Sequence, residues 1–406
     1  MIKVAIMGFG TVGAGVAQVL TDNRETISRN AHEDIEIKYI LDIRDFPGSP
    51  FADKLVKDFS VIESDPEVKI VVEAMGGKTF AYDFTKRALL AGKSVVTSNK
   101  ELVATHGTEL LAIAKEKNLN YLFEASVGGG IPIIRPLTQC LLGNDIEQIC
   151  GILNGTTNYI LTRMIEAGKT FEEALSEAQQ KGYAEANPSA DVDGIDACRK
   201  ICILSNLAYG KCIDPETVCT EGIRSITLED VNYAKAAGRA IKLIGRCVRR
   251  DDGRINVLVA PHLVSHDCLL SSVNDVFNAI MVSGDMVDDV MFYGRGAGSL
   301  PTASAVVGDV IDAAMHIEKR KPLGWEACDA SFVAPHTDMT YRFYLRVSNW
   351  TKATVEKYFA GAEFISAPGS DCAFITPELN VSDFETKLSA YRADGETVLS
   401  VIRVLN

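Results

Sequence analysis

A chain of 406 residues is long enough for two or three domains, each with its own core. Its 54 acidic and 41 basic residues give a net charge of -13, which excludes a general nucleic-acid surface because phosphate binding needs clustered lysine and arginine. No apolar run approaches the ~18 residues of a membrane span. The ten cysteines form no CxxC pair, so we expect a cytoplasmic protein with reduced thiols.

The first third of the chain alternates short β-branched runs with helical patterns. The runs are KVAIM, IEIKYIL, KIVVEA, KSVVTS and NYLFEA. Strands that alternate with helices predict a parallel sheet covered on both faces, that is, an α/β fold of the Rossmann type.

A glycine-rich loop follows the first of these strands and opens a helical pattern. Gly8 allows the tight turn, Gly10 lets the backbone approach a pyrophosphate, and Gly13 lets the helix pack on the strand. The loop therefore predicts dinucleotide binding. The cofactor-binding residues that we assign to it are Gly8, Phe9, Gly10, Thr11, Val12 and Gly13.

The second strand ends in YILDIRDF, which offers both an acid and a base to the cofactor ribose. Asp42 could hold the ribose hydroxyls and favour NAD, whereas Arg44 could pair with a 2′-phosphate and favour NADP. We predict that both cofactors are used, with a preference for NADP.

The pattern from about residue 130 to 209 is mostly helical, and strand-like runs follow at LIGRCVR, INVLVAPHLV and AIMVSG. This order predicts an α+β domain, with an open sheet that could pair with another subunit. A helical stretch then leads to a linker at KRKPLGWEACDA and to a small mixed domain. The predicted domains are residues 1–130, completed by a helix at 299–318, then residues 131–298 and residues 338–406.

The acidic stretch GYAEANPSADVDGIDACRK precedes a helix that is apolar nearly all round, which is typical of a buried helix. Asp196 and Lys200 are four residues apart and share one face of it. An ordinary surface pair is the simpler interpretation, but this helix has little polar surface. We therefore predict that Lys200 is an acid/base group positioned by Asp196, and that Glu185 binds a substrate ammonium. Asp191 and Asp193 are expected only to be solvated or to cap the helix.

Seven blocks together resemble homoserine dehydrogenase. They are GFGTVGAG, VVEAMGG, VVTSNKELVA, FEASVGGGIPIIRPL, GILNGTTNYIL, GYAEANPSADVDGIDACRK and GRGAGSLPTASAVVGD, and they span nearly the whole chain. The resemblance implies NAD(P)-dependent interconversion of L-aspartate 4-semialdehyde and L-homoserine in threonine, methionine and isoleucine biosynthesis. It also implies a homodimer or homotetramer.

The resemblance also implies residue roles, and three of them agree with the roles predicted above from the acidic stretch and its helix. It implies that Lys200 donates the proton, that Asp196 assists it, and that Glu185 binds the substrate amino group. Lys100 would contact cofactor, substrate carboxylate or both. The further cofactor-binding residues that it implies are Asn99, Asn154, Gly155 and Thr156.

A monovalent cation, with sodium expected, is also implied by the resemblance. The block FEASVGGGIP would hold it with the Glu124 carboxylate and with backbone carbonyls of Val127, Gly129 and Ile131. Oxygen-only ligands suit a hard cation. Without the resemblance, this block would be interpreted as a glycine-rich hinge.

The tail resembles a divergent form of the small regulatory ACT domain. YRFYLRVSN would be its first strand and VLSVIRVLN its terminal segment, but NWTKATVEKYF replaces the usual Asp-x-Pro-Gly turn. We expect weak or absent inhibition by threonine.

Two alternatives remain open from the sequence. One is a different NAD(P)-dependent dehydrogenase of amino-acid metabolism, which a substrate panel would distinguish. The other is a non-catalytic sensor, which would bind cofactor without turnover.

Overall fold

The computed structural model describes residues 1–367 and 371–405. The chain divides into two compact units. The first unit comprises residues 1–145, 202–215 and 292–328, and the second comprises residues 146–201, 216–291 and 329–406. The domain boundaries expected from the sequence, at residues 130, 298 and 338, stay predictions.

Strands and helices alternate through the first 122 residues, and a short π-helical segment follows at Pro136–Cys140. In chain order the elements are β1 (Ile2–Met7), α1 (Thr11–Asp22), α2 (Arg24–Ala31), β2 (Ile35–Leu41), β3 (Leu55–Val56), α3 (Ser60–Ser64), β4 (Val68–Glu73), α4 (Thr79–Leu90), β5 (Ser94–Thr97), α5 (Lys100–Glu116) and β6 (Tyr121–Leu122).

The strands of the first unit form one sheet in the order β3-β2-β1-β4-β5-β6, and every neighbouring pair is parallel. The order reverses direction at β1, where the glycine loop leaves the sheet. The predicted Rossmann-type parallel sheet is confirmed, and all five predicted strands are present. The two-residue strand β3 was not predicted, because so short a run has no readable pattern.

A later helix, α11 (Ser299–Met315), also belongs to the first unit. It packs directly against α1: the Ser299 Oγ donates to the Thr11 carbonyl at 2.8 Å, and a Cβ on Gly15 would lie 3.1 Å from the Ala303 Cβ. Its buried residues join those of β1 and β4 in one hydrophobic core. Glycine at position 15 therefore allows the close approach of the two helices.

The elements between residues 146 and 295 alternate less regularly. They are β7 (Ile146–Ile152), α6 (Gly155–Ala167), α7 (Phe171–Gln180), α8 (Ser189–Val192), α9 (Ile195–Tyr209), β8 (Cys219–Thr220), α10 (Leu228–Ala236), β9 (Arg239–Arg249), β10 (Ile255–Ser265), β11 (Phe277–Gly284) and β12 (Asp288–Arg295). The predicted strand runs correspond to β9, β10 and β11.

Strand β7 lies inside the stretch that the sequence pattern predicted to be mostly helical. It pairs in antiparallel fashion with β9 on one side and β11 on the other, and its last four residues are buried. A strand buried on both faces has no alternation of polar and apolar residues to reveal it.

The tail contains β13 (Thr340–Tyr341), β14 (Phe343–Ser348), α12 (Lys352–Tyr358), β15 (Glu363–Ile365), β16 (Cys372–Ile375), β17 (Leu379–Asn380), α13 (Val381–Ala393) and β18 (Thr397–Leu405). The last residue of the predicted terminal segment, Asn406, lies outside the described residues. In the turn after β14, Asn349 adopts a φ of 53°, a conformation that asparagine tolerates better than most residues. The ACT-like regulatory assignment stays a prediction.

The tail strands extend the sheet of the second unit. The order is β12-β11-β7-β9-β10-β18-β14-β16-β15, and the tail joins it through a parallel pairing of β18 with β10. No helix in the described part of the chain is long and apolar enough to cross a membrane.

A buried ion pair also connects the tail to the rest of the second unit. Arg346 on β14 donates to Asp230 on α10 at 2.8 Å and to Asp371 at 2.7 Å. The Tyr344 hydroxyl donates to the same Asp230 carboxylate at 3.1 Å. Removing the arginine would leave a buried carboxylate without its countercharge.

We predict that Arg346→Ala lowers the free energy of unfolding by about 3 kcal/mol, the typical cost of breaking a buried ion pair. Arg254→Ala is the control, since Arg254 forms an exposed pair with Asp252 and should cost less than about 1 kcal/mol. Urea unfolding followed by circular dichroism measures both. Equal losses of unfolding free energy in the two variants would show that the buried pair stabilises the fold no more than the exposed pair does.

Candidate active site

The glycine loop has the close backbone approaches that its sequence predicts. Gly8 has a φ of +93°, and a Cβ on it would lie 2.8 Å from the Ala74 carbonyl oxygen. A Cβ on Gly13 would lie 1.9 Å from the Gly8 carbonyl oxygen. Gly10 is the N-cap of α1 and provides no side-chain cap, so the first-turn N–H groups, starting at Thr11, are left for an anion such as a pyrophosphate.

Asp42 and Arg44 at the end of β2 bind one another. The buried Asp42 carboxylate accepts from the Arg44 Nε at 3.0 Å and the Arg44 Nη2 at 2.9 Å, and also from the Phe9 N–H at 2.8 Å. The bonds from the Arg44 side chain hold the pKa of Asp42 far below its usual range. The Arg44 N–H is a fourth donor, at 2.9 Å, so the carboxylate is saturated and holds the guanidinium beside the loop.

A second polar cluster occupies the carboxyl ends of β4 and β5. The fully buried Glu73 accepts from the Thr97 hydroxyl at 2.5 Å and from the Met75 N–H at 2.9 Å, and burial raises the pKa of Glu73. The Thr97 Oγ1 accepts from the Asn99 N–H at 2.9 Å. Asn99 in turn caps α5, whose first residue is Lys100. Sequence reasoning identified Asn99 and Lys100 but missed Glu73 and Thr97.

Glu124 is buried, and its carboxylate accepts three backbone N–H groups. Oε1 accepts from Ile133 and Ile134 at 2.7 Å each, and Oε2 accepts from Arg135 at 2.8 Å. Three of the four lone pairs of the carboxylate are thus in use, and the Arg135 Nε lies 3.9 Å from Oε2. The predicted cation ligands Val127, Gly129 and Ile131 belong to the same unit and could contribute only main-chain carbonyls.

Lys200 and Asp196 are buried together near the start of α9. The Lys200 Nζ donates to the Asp196 Oδ2 at 2.8 Å and to the Leu153 carbonyl at 2.8 Å. Their side chains are 10% and 5% exposed, so the pair is internal and not a surface ion pair. Placing an ammonium in such a site needs an anionic partner and further oxygen acceptors, and both are present.

Asn154 connects this pair to the N-terminus of α6. Its Oδ1 accepts from the Thr157 N–H at 2.8 Å and caps the helix, while its Nδ2 donates to Asp196 at 2.8 Å and to Asp191 at 2.7 Å. Asp191, expected only to be solvated or to cap the helix, therefore belongs to this network. Asp193 instead forms a partly exposed pair with Arg224 at 2.5 Å.

The remaining predicted residues near this network are less closely involved. Glu185 is exposed, and its main-chain carbonyl accepts from the Gln179 side chain at 3.1 Å. The Thr156 hydroxyl donates to the Tyr183 carbonyl at 2.6 Å. A Cβ on Gly155 would lie 2.8 Å from the Val276 carbonyl oxygen, so this helix start requires glycine.

The glycine loop of the parallel sheet and the buried Lys200–Asp196 pair together indicate the class of the protein. A parallel sheet in this strand order, with a glycine loop after its first strand, is a dinucleotide-binding fold. A buried lysine with an aspartate partner can exchange a proton with a substrate oxygen. Dinucleotide binding and proton exchange together are typical of an NAD(P)-dependent oxidoreductase.

Comparison with known proteins gives the family. Residues 8–124 match the profile of the homoserine dehydrogenase NAD-binding domain, and residues 132–311 match that of homoserine dehydrogenase. A homoserine dehydrogenase of Pseudomonas aeruginosa is 45% identical over 312 residues, covering 77% of this chain and 72% of that protein.

Two solved structures are also similar. A homoserine dehydrogenase from Thiobacillus denitrificans has a TM-score of 0.90 at 34% identity, with 100% of this chain and 98% of that chain covered. A hyperthermophilic archaeal homoserine dehydrogenase in complex with NADPH has a TM-score of 0.65 at 31% identity, with 77% and 98% covered.

The chain belongs to the homoserine dehydrogenase family. It is an oxidoreductase that binds NAD(P) and interconverts L-aspartate 4-semialdehyde and L-homoserine. The resemblance seen in the sequence is confirmed, and the alternatives of a different dehydrogenase and of a non-catalytic sensor are set aside.

We predict that Asn154→Ala lowers the free energy of unfolding by about 2–4 kcal/mol, because it removes a helix cap and a buried donor to Asp196. Thr170→Ala is the matched control: Thr170 caps α7 in an exposed capping box, and its loss should cost about 1 kcal/mol. Urea unfolding measures the loss of unfolding free energy in both variants. Similar losses would show that the bonds from Asn154 to the buried carboxylates add no stability.

Proposed function

We propose that Lys200 is the acid/base residue of the reaction and that Asp196 positions it. The observation that supports this proposal is the buried pair itself, in which the Lys200 Nζ bonds to Asp196 and to the Leu153 carbonyl. A lysine held in this way, buried beside a carboxylate, is suited to exchange a proton with a substrate oxygen.

The reaction needs one proton and one hydride. When bound, the nicotinamide supplies the hydride to the aldehyde carbon, or accepts it from the alcohol carbon in reverse. Lys200 gives its Nζ proton to the oxygen that becomes the hydroxyl of homoserine, and takes that proton back during oxidation. Asp196 stabilises the ammonium and fixes its direction. Burial of the pair keeps bulk water from competing for the proton.

The two charged ends of the substrate need partners of opposite charge. Glu185 has an exposed carboxylate, which suits the substrate ammonium, and Lys100 is assigned to the substrate carboxylate or to the cofactor. Glu185 and Lys100 could also be ordinary surface charges. The resemblance to the family favours the binding roles.

The cofactor assignment includes both NAD and NADP, with a preference for NADP. The residues assigned to it are Gly8, Phe9, Gly10, Thr11, Val12, Gly13, Arg44, Asn99, Lys100, Asn154, Gly155 and Thr156. Two findings support the preference: Asp42 is saturated by its own donors, and the related archaeal enzyme was solved in complex with NADPH. Arg44 is then the group that would meet a 2′-phosphate.

A monovalent cation, with sodium expected, is proposed at the segment from Glu124 to Ile131. Carbonyl oxygens of Val127, Gly129 and Ile131 suit a hard cation, and the Glu124 carboxylate has one lone pair left. A cytoplasmic homodimer or homotetramer completes the proposal.

Replacing Lys200 tests the acid/base role. We predict that Lys200→Met lowers kcat for homoserine oxidation by about 10²- to 10⁴-fold, since general acid–base catalysis typically contributes this factor. Binding of NADPH should be unchanged. Lys235→Met, at an exposed lysine on α10, is the control and should keep wild-type activity. Absorbance of the reduced nicotinamide measures the rate, and wild-type kcat in Lys200→Met would exclude the role.

Replacing Arg44 tests the cofactor preference. We predict that Arg44→Ala raises KM for NADP about 10- to 100-fold, the value of a charge-assisted hydrogen bond, and changes KM for NAD much less. The exposed Arg29 on α2 provides the control variant Arg29→Ala. If KM for NADP stayed at the wild-type value, Arg44 would not contact the 2′-phosphate.

A further inference from the structure

A cavity of about 560 Å³ is lined by the second half of α5, by Gly210 and by the segment 320–327, which follows α11. All of its lining residues belong to the first unit. None of them belongs to the glycine loop, to the polar cluster around Glu73 or to the network around Lys200. A volume of this size is typical of a site for a small organic molecule.

The indole of Trp325 forms an apolar wall of this cavity. Trp325 is buried, and its Nε1 donates to the Thr108 Oγ1 at 3.0 Å. The ring lies against Gly107, where a Cβ would come 2.5 Å from the Trp325 Cζ2, and it packs edge to face with Phe123 at a centroid distance of 5.7 Å. These contacts hold the indole in one orientation. A ligand would therefore meet a pre-formed wall and lose little binding energy to ordering it.

The main chain beside the indole is fixed as well. The Glu326 N–H donates to the Gly210 carbonyl at 3.0 Å, and the Cys212 N–H donates to the Glu326 carbonyl at 2.7 Å. A Cβ on Gly324, which has a φ of +144°, would lie 3.4 Å from the Leu111 Cδ2. Backbone bonds and close packing thus hold this side of the cavity in place.

Two cationic side chains line the same cavity. The Arg320 Nη1 donates to the Leu323 carbonyl at 3.3 Å, and the other N–H groups of the guanidinium remain for an anion. Lys115 is exposed on the last turn of α5. In the described part of the chain neither cation forms an ion pair with a carboxylate, whereas the neighbouring Lys321 pairs with Asp312 at 2.6 Å.

The charge of the cavity is opposite to that of the whole chain. Its charged lining residues are Lys115, Arg320 and Glu326, two cations and one anion, so its net charge is positive. The whole chain has a net charge of -13. A positive cavity on an acidic protein attracts an anion to this place in preference to the surrounding surface.

We propose that this cavity binds a small organic carboxylate with an apolar body. The carboxylate bonds to the Arg320 guanidinium and faces the Lys115 ammonium. The apolar body packs between Trp325, Leu111 and Leu323. An inorganic anion would leave these apolar walls in water, and an uncharged molecule would leave the cations without a partner. No residue of this cavity takes part in the proposed reaction, so the inference does not depend on the role of Lys200.

The fluorescence of Trp325 provides the test. The chain has two tryptophans, so the variant Trp350→Phe leaves Trp325 as the one tryptophan that reports. Titration of this variant with 4-methylpentanoate should change the emission to saturation. The uncharged 4-methylpentanamide has the same shape and should bind at least about 10-fold more weakly, since it lacks the charge-assisted bond. Isothermal titration calorimetry repeats both titrations by a method that does not depend on the indole.

L-Leucine is the third titrant, because an α-amino acid carries the same carboxylate and apolar body together with an ammonium group. If L-leucine binds more tightly than 4-methylpentanoate, the ligand is an amino acid whose ammonium meets Glu326. If it binds more weakly, the ligand is a carboxylic acid without an ammonium group. Either result supports a carboxylate site.

Substitutions in the Trp350→Phe background identify the cations. Arg320→Met should weaken 4-methylpentanoate binding about 10- to 100-fold, the value of a charge-assisted hydrogen bond. Lys115→Met should weaken it about 2- to 5-fold, as for an exposed ion pair. Lys117→Met is the matched control and should bind normally, because Lys117 lies outside the cavity and is 3.7 Å from the Glu116 carboxylate.

All three lysine and arginine variants should keep wild-type kcat for homoserine oxidation, which shows that the fold is intact. The proposal is overturned if neither 4-methylpentanoate nor L-leucine binds by fluorescence or calorimetry. It is also overturned if the amide binds as tightly as the acid, or if Arg320→Met binds the acid as tightly as the Trp350→Phe parent.

Discussion

One asparagine organises the buried polar network around Lys200. Asn154 follows β7, caps α6 with its oxygen, and bridges α8 and α9 with its nitrogen. Its amide joins a helix start to the carboxylate that holds Lys200. Because the oxygen and the nitrogen of the amide are both hydrogen-bonded, displacing one bonded partner shifts the others. The polar groups of the site are thus buried as one satisfied network and not as isolated charges.

The nucleotide-binding unit has a similar arrangement of buried carboxylates at the carboxyl edge of its sheet. Asp42 binds Arg44 and the glycine loop, and Glu73 holds Thr97, which in turn holds the cap of α5. In both units, a buried carboxylate fixes a residue that is assigned to ligand binding. Each carboxylate is costly to bury alone and is stable here because several donors surround it.

The sequence predicted the local parts of this architecture. The glycine spacing and the alternating runs were sufficient for the parallel sheet, and the four-residue spacing of Asp196 and Lys200 was sufficient for their pair. Asn154 bonds to carboxylates 37 and 42 residues away, and no local pattern encodes such contacts. For the same reason, Glu73 and the parallel pairing of β18 with β10 were missed. Hydrogen bonds between residues far apart in the sequence can be identified only once the fold is known.

The most direct test of this account is chemical rescue of Lys200→Ala by small primary amines. Truncating a buried lysine leaves a cavity beside Asp196 that an alkylammonium ion can enter, where it would take the place of the lost Nζ. Homoserine-dependent reduction of NADP should rise with the amine concentration and depend on the amine pKa. A Lys200→Ala variant that turns over at the wild-type rate without any amine would contradict the account.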